Sequence, residues 1–329
     1  MFGIHWLILI IIFVIVINIS LFFPIKYSQI RMNYNNFHFK KLLTKPINDT
    51  IKEITEAVQI LTPIKNDSYK RHAKFTIYDY VVGIIDVMKN YTSWNAYNGI
   101  IPGNTLRKKH SEWTKLGIYE AVHKSSLNKY LKTTKRTEEL KYQSIDSTFV
   151  RDINGSEESN YSGTYKCRKS ESALGISVTE IVTTKGIPLS ISIDGANKYD
   201  STLLPAAIDN IVINCDTKKY KNHNRFKQYL LADKGYDSKE NHKLCIKKGY
   251  TPLIAQNRRN IKNKKLLRKM NTKQKNIYKK RHIIENYHSW IKKMAKINCL
   301  YERNIHHYKG LLLLGISIII NRRIVKNIS

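Results

Sequence analysis

The spacing of apolar residues changes character several times along this chain. Residues 6–23 are almost unbroken Leu, Ile, Val and Phe, and no Asp, Glu, Lys or Arg precedes Lys26. A helix of roughly 20 apolar residues spans a bilayer, so this run is nearly long enough. From residue 33 to about 135 the apolar positions recur mostly at helical spacing, broken by Gly and Pro at "NGIIPGN" (98–104). Beyond that break Leu106, His110 and Trp113 stand at i, i+4 and i+7, with Asn104 as cap and Gly117 as terminator. Ile118 to Leu131 reads as a second amphipathic helix.

Past residue 140 the period shortens to that of strands. "YQSIDSTFV" (142–150), "LGISVTEIVTTKGIPLSISID" (174–194, two strands turning at Lys185-Gly186) and "QYLLADKGY" (228–236) carry it. Helices are predicted at about 200–214 and 238–248, then a strand at "TPLIA", then a long basic helix. Strands followed by interleaved helices predict an α+β fold with a mixed sheet flanked by helices. The apolar run "LLLLGISIII" (311–320) is too short to span a membrane and predicts a buried C-terminal helix on the sheet. His306 and His307 read as polar residues at its start. Three segments follow: an apolar N-terminal segment (1–31), a helical region (32–138) and a sheet-containing domain (139–329).

Charge changes the picture. Lys and Arg total 57 against 25 Asp and Glu, a formal net charge of +32. Such a field favours a polyanionic partner, most simply nucleic acid. The chain is also rich in Lys, Asn, Ile and Tyr, so the position of the cations carries more information than their number. Arg107, Lys108 and Lys109 lie on the first of two short helices around a Gly turn, which suits a helix-turn-helix on DNA and equally a solvated basic face. The apolar N-terminus reads either as an anchor, with Lys26, Arg31, Lys40 and Lys41 holding the body on the cytoplasmic side, or as a translated leader before Met32. Cys167, Cys215, Cys245 and Cys299 are widely spaced, without C-x-x-C, and read as buried free thiols.

Three carboxylates stand out. Asp146 and Asp233 each follow apolar strand residues, in "SID" and "LLAD". Paired acids at strand ends repel unless a divalent cation lies between them, although an Asp before Gly is also an ordinary turn residue. Glu285 is the single acid between Arg258 and Lys296, among fifteen Lys or Arg. On an ideal helix Tyr278, Arg281, Glu285 and Lys292 map to about 0, 300, 340 and 320°, one arc of about 60°. That stripe is too polar for a core and offers one metal-binding acid with three phosphate-gripping groups. Arg259, Lys264 and Lys265 extend the basic tract as a loop suited to tracking a DNA backbone.

These residues resemble the DDE transposases of insertion sequences, in the branch numbered four and five. "IDSTFVR" around Asp146 looks like the first-aspartate strand, "LADKGYDS" around Asp233 is close to the second-aspartate motif, and Tyr278, Arg281, Glu285 and Lys292 fit the Y-R-E-K signature without a gap. The likeness covers residues 90–325 in order, including "PGNTLRKKHSEWTKLGIYEAV"; the apolar N-terminus departs from it. It implies a ribonuclease-H-like catalytic domain in which Asp146, Asp233 and Glu285 hold two Mg²⁺ or Mn²⁺ ions. Tyr278, Arg281 and Lys292 would then contact the phosphates of the element ends. It further implies cleavage of those ends, joining of 3′ ends to target DNA, homo-oligomeric synapsis and residence with the DNA. Membrane attachment through residues 6–23 would be an addition. A decayed or repurposed transposase that only binds DNA, and a membrane protein with a basic domain, are the competing readings.

Overall fold

The computed structural model describes residues 44–62, 75–162, 172–213, 227–257 and 269–328. The apolar N-terminal segment lies outside them, as do Arg259, Lys264 and Lys265. No helix among the described residues is long and apolar enough to cross a membrane.

Four helices come first: α1 (Lys45–Leu61), α2 (Ile77–Lys89), α3 (Gly103–Lys115) and α4 (Ile118–Lys132). Pro46 opens α1, where a missing N–H costs nothing, and Ile47, Ile51, Ile54 and Val58 bury one face. Thr76 and Asp79 close a reciprocal capping box at α2. Gly117, at φ +70°, is the left-handed corner between α3 and α4, so the expected pair of helices around a Gly turn is present. Pro102, one residue before the helix begins, stands at the cap of α3 in place of Asn104.

The strands β1 (Tyr142–Asp152), β3 (Leu174–Thr183) and β4 (Pro188–Gly195) form an antiparallel set. Its hairpin turns at Gly186, φ +72°. The strands β5 (Gln228–Ala232) and β6 (Tyr250–Ile254) extend the other edge in parallel, giving the path β4-β3-β1-β5-β6. Two short strands, β2 (Asn160–Tyr161) on β3 and β7 (Cys299–Leu300) on β1, complete the sheet. Helices α5 (Asp200–Asp209) and α6 (Lys239–Lys247) cover one face, packing on Ile145, Ile181, Leu230 and Tyr250. The other face carries α7 (Thr272–Tyr278), α8 (Ile283–Ile291) and the start of α9 (Ile305–Ile328). A sheet covered on both sides explains why nearly every residue of β3 is buried. This mixed sheet flanked by helices fits a ribonuclease-H-like domain.

Three expectations need correction. The long basic helix is broken: α7 ends at Tyr278, Lys279–His282 form a 3₁₀ turn, and α8 resumes at Ile283. Strand β5 stops at Ala232, because the Asp233 side chain accepts the Lys234 N–H at 2.7 Å and caps a 3₁₀ turn. The C-terminal helix packs chiefly on α1 and α4 rather than on the sheet. Asn321 makes that docking specific by donating to Thr50 (2.9 Å) and to the buried Glu53 (3.1 Å), so the helices and one sheet face share a continuous core.

Two buried histidines tie these parts together in their neutral form. His110 on α3 donates from Nε2 to the His307 carbonyl (3.0 Å), leaving Nδ1 to accept the Tyr119 hydroxyl (2.8 Å). His123 on α4 faces the Pro188 carbonyl at 3.3 Å. Burial pushes His110 down to about 3 and His123 down to about 4. The unfolded chain takes up protons below about 6.5 while the folded chain does not. Stability is therefore expected to be full above that pH and to fall towards pH 4, by up to about 1.4 kcal/mol per pH unit for each histidine. Denaturant titrations between pH 7 and 4 check this, and His123→Gln should flatten the dependence.

Candidate active site

Strands β1 and β5 run parallel with Ser144 opposite Leu231. The paired register ends there; two residues further along come Asp146, within β1, and Asp233, one residue past the end of β5, on chains about 5 Å apart where the strands pair. Side chains alternate, and Leu231 packs with Ile277 beneath α7, so Asp233 shares the α7 face. Asp146 lies on that face as well, since Val150 on the same strand and the facing Ile176 pack in the core beneath α8. The sheet thus sets two carboxylates side by side under a basic helix.

Arg281 answers them. Its guanidinium lies 3.5 Å from Asp146 Oδ2 and donates to Glu285 Oε1 at 2.9 Å, with only 13% of the side chain exposed. The 3₁₀ turn alters the ideal helical phase, yet Arg281 and Glu285 still meet across one turn. Asp146, Tyr278, Asp233 and Glu285 together hold the guanidinium charged against the loss of water. Burial raises the Asp146 carboxyl, opposed by His288, by the Ser147 N–H (2.9 Å) and by Arg281, while Asp200 adds to the rise.

Tyr278 turns its hydroxyl inward to the Ala232 carbonyl at 3.2 Å. Lys292 ends α8 and donates to the Phe149 carbonyl at 2.9 Å, so it ties the helix end to β1. Glu285 is half exposed and also faces His282 at 3.3 Å. Arg107 and Lys108 are exposed on α3 and line a cleft of about 630 Å³ with Asn104, Ser111, Lys115 and His307. Lys109 is engaged with Glu112 at 2.7 Å.

A divalent cation can be tested against these residues. The donors are hard carboxylate oxygens, Asp146 within β1 rather than at its expected end and Asp233 just past β5, countered by a single guanidinium, which is the donor chemistry that suits Mg²⁺ or Mn²⁺. Glu285 would join them only by exchanging its bond to Arg281. Among the described residues no three His, Cys, Asp or Glu side chains already converge closely enough to hold an ion. The Arg281 Nε–H is buried without an acceptor, a donor left over for an anionic group rather than for a cation.

Sequence reasoning missed the layer behind this face. Glu180 on β3 is opposite Asp146 in the antiparallel register and fully buried. It accepts the Tyr287 hydroxyl at 2.6 Å and lies 3.2 Å from His288 Nε2, one turn after Glu285. An acid within the apolar "ISVTEIVT" was the available signal. Asp200 was also missed: a Cβ at position 235 would come within 2.7 Å of its Oδ2, so Gly235 makes room for that carboxylate. His288→Ala is expected to cost about 2 kcal/mol, because it leaves the buried Glu180 carboxylate without the imidazole beside it. Denaturant unfolding measures it, and Glu180→Gln in that background should recover part of the loss.

Residues 141–320, from the strand of Asp146 through most of α9, match the family model described as a transposase DDE domain. No curated protein matches the chain. The match takes in all three acids and covers more than half of the sequence, and the chain belongs to the DDE transposase family.

Proposed function

We propose that this chain is a transposase of the branch numbered four and five, which binds the ends of a mobile element, cleaves them and joins the 3′ ends to target DNA. The observation that carries the reading is the side-by-side placement of Asp146 and Asp233 beneath the helix segment bearing Arg281 and Glu285. Asp146, Asp233 and Glu285 would hold two divalent ions. Bound there, such ions supply Lewis acidity and an acidified water for in-line phosphoryl transfer.

The chain's own residues set up the rest. Arg281 gives up Glu285 as DNA enters and turns its guanidinium, including the unsatisfied Nε–H, to a non-bridging phosphate oxygen. Tyr278, anchored on Ala232, walls the site beside Asp233. Hydrolysis breaks one P–O bond and frees a 3′-OH, which then displaces the 3′ oxygen of a target phosphodiester. No covalent protein intermediate is needed. Arg107 and Lys108, together with Arg259, Lys264 and Lys265, grip backbone phosphates. The chain acts as a homo-oligomer in synapsis, on the DNA.

Asp146→Ala, Asp233→Ala and Glu285→Ala are each expected to lower cleavage of the DNA ends flanking the gene by more than about 100-fold while duplex binding persists. Cleavage at the wild-type rate by Asp233→Ala would overturn the site. Retained binding with no cleavage by the unaltered chain, at any Mg²⁺ or Mn²⁺ concentration, would instead favour the binding-only reading.

Arg281→Ala should slow single-turnover cleavage more than it weakens affinity, and Arg281→Lys should not restore the rate, because an ammonium lacks the planar fork. Neutralising Arg259, Lys264 and Lys265 should act oppositely. It should weaken binding to all sequences and reduce the log-log salt slope by about 0.9 per lost contact. Binding at several salt concentrations beside saturated cleavage separates the two effects.

A further inference from the structure

A second cationic cleft lies on the far side of α8 from the acids. Its walls are Trp290, Lys293, Ile319, Arg322, Arg323 and Lys326, around a volume of about 270 Å³, and no Asp or Glu lines it. Trp290 follows Glu285 by five residues, which places the two about 140° apart around the helix. A phosphate in this cleft is therefore not the one facing Asp146; the width of a helix, about 10 Å, separates them.

The cleft is built from packed elements. The Trp290 ring sits under the β3–β4 turn, where a Cβ at position 186 would come within 2.9 Å of it. The Arg323 guanidinium lies over the ring, 4.7 Å from its centroid. Lys293, Arg322 and Lys326 are exposed around it. Helix-dipole compensation accounts for a cation in the last turn of α9, but Arg322 and Arg323 stand before that turn and Lys293 belongs to another element. Arg322 and Lys326, one turn apart, rise about 6 Å along α9.

We propose, resting on the transposase reading, that this cleft holds the backbone of the target duplex. The indole is capped by Arg323 and cannot stack on a base, so recognition here is by phosphate and independent of sequence. A grip of that kind suits the DNA partner whose sequence is not fixed, which is the target rather than the element end.

The test uses the full chain with Lys293→Gln, Arg322→Gln and Lys326→Gln combined, leaving Arg323 on Trp290. For a random-sequence duplex the log-log salt slope should fall by about 2 to 3, as three contacts of about 0.9 each are lost. Cleavage of the flanking ends at saturation should stay within about twofold of wild type. Joining of pre-cleaved ends into a plasmid should fall at least about tenfold at limiting target and recover as target concentration rises. Lys293→Arg with Lys326→Arg should behave as wild type in all three assays. An unchanged slope with unchanged joining overturns the proposal. End cleavage that falls in step with joining overturns the target assignment and places the element end in the cleft. If the unaltered chain neither cleaves nor joins, the transposase reading fails. The salt slope then still decides whether the cleft binds DNA.

Discussion

The parallel register between β1 and β5 is the constraint on which the candidate site depends. It brings Asp146 and the end of β5, where Asp233 follows, to the same face of the sheet, and a slip by one residue would turn Asp146 to the opposite face. Burial strips water from Asp146, and the Asp200 charge adds to the cost of ionising it. A cation must therefore stand over the sheet at this point. In the protein alone Arg281 fills that place, and Glu285 steadies Arg281 from one turn further along.

The broken helix follows from the same demand. An uninterrupted helix would present its cations in one straight stripe. The 3₁₀ turn at Lys279–His282 instead lets α7 pack Ile277 on Leu231 while α8 packs Ile284 and Tyr287 on the neighbouring strands. Behind this face Glu180 sits opposite Asp146 with no exposure, satisfied by Tyr287 and paired with His288. Only its Oε1 is hydrogen-bonded, to Tyr287, while Oε2 is buried with the His288 imidazole 3.2 Å away, so these two side chains of α8 hold the helix against the strand of Asp146.

The helices before the sheet are joined to the site through α9. This helix buries its apolar middle against α1 and α4, and its first turns reach the elements that carry β7 and the end of α8. The basic cleft of α3 and the basic cleft of α8 and α9 are thus presented by one continuous core. Their spacing is held by packing rather than by a linker, which is what a protein needs to grip one polyanion in register with chemistry on it.

Much of this was readable from residues. Period-two stretches located the main strands, Gly117 and Gly186 marked turns that need positive φ, and the three acids stood out because each interrupted an apolar or basic run. Those signals are local, and local steric and burial preferences set them. Tertiary structure alone decided where Lys292 points, that Arg281 bridges Asp146 and Glu285, that Glu180 backs the site, and that the C-terminal helix leaves the sheet for α1 and α4. Each of these is a contact between residues far apart in sequence. Which partner a buried charge finds depends on strand register and helix breaks, and no single-sequence periodicity encodes those.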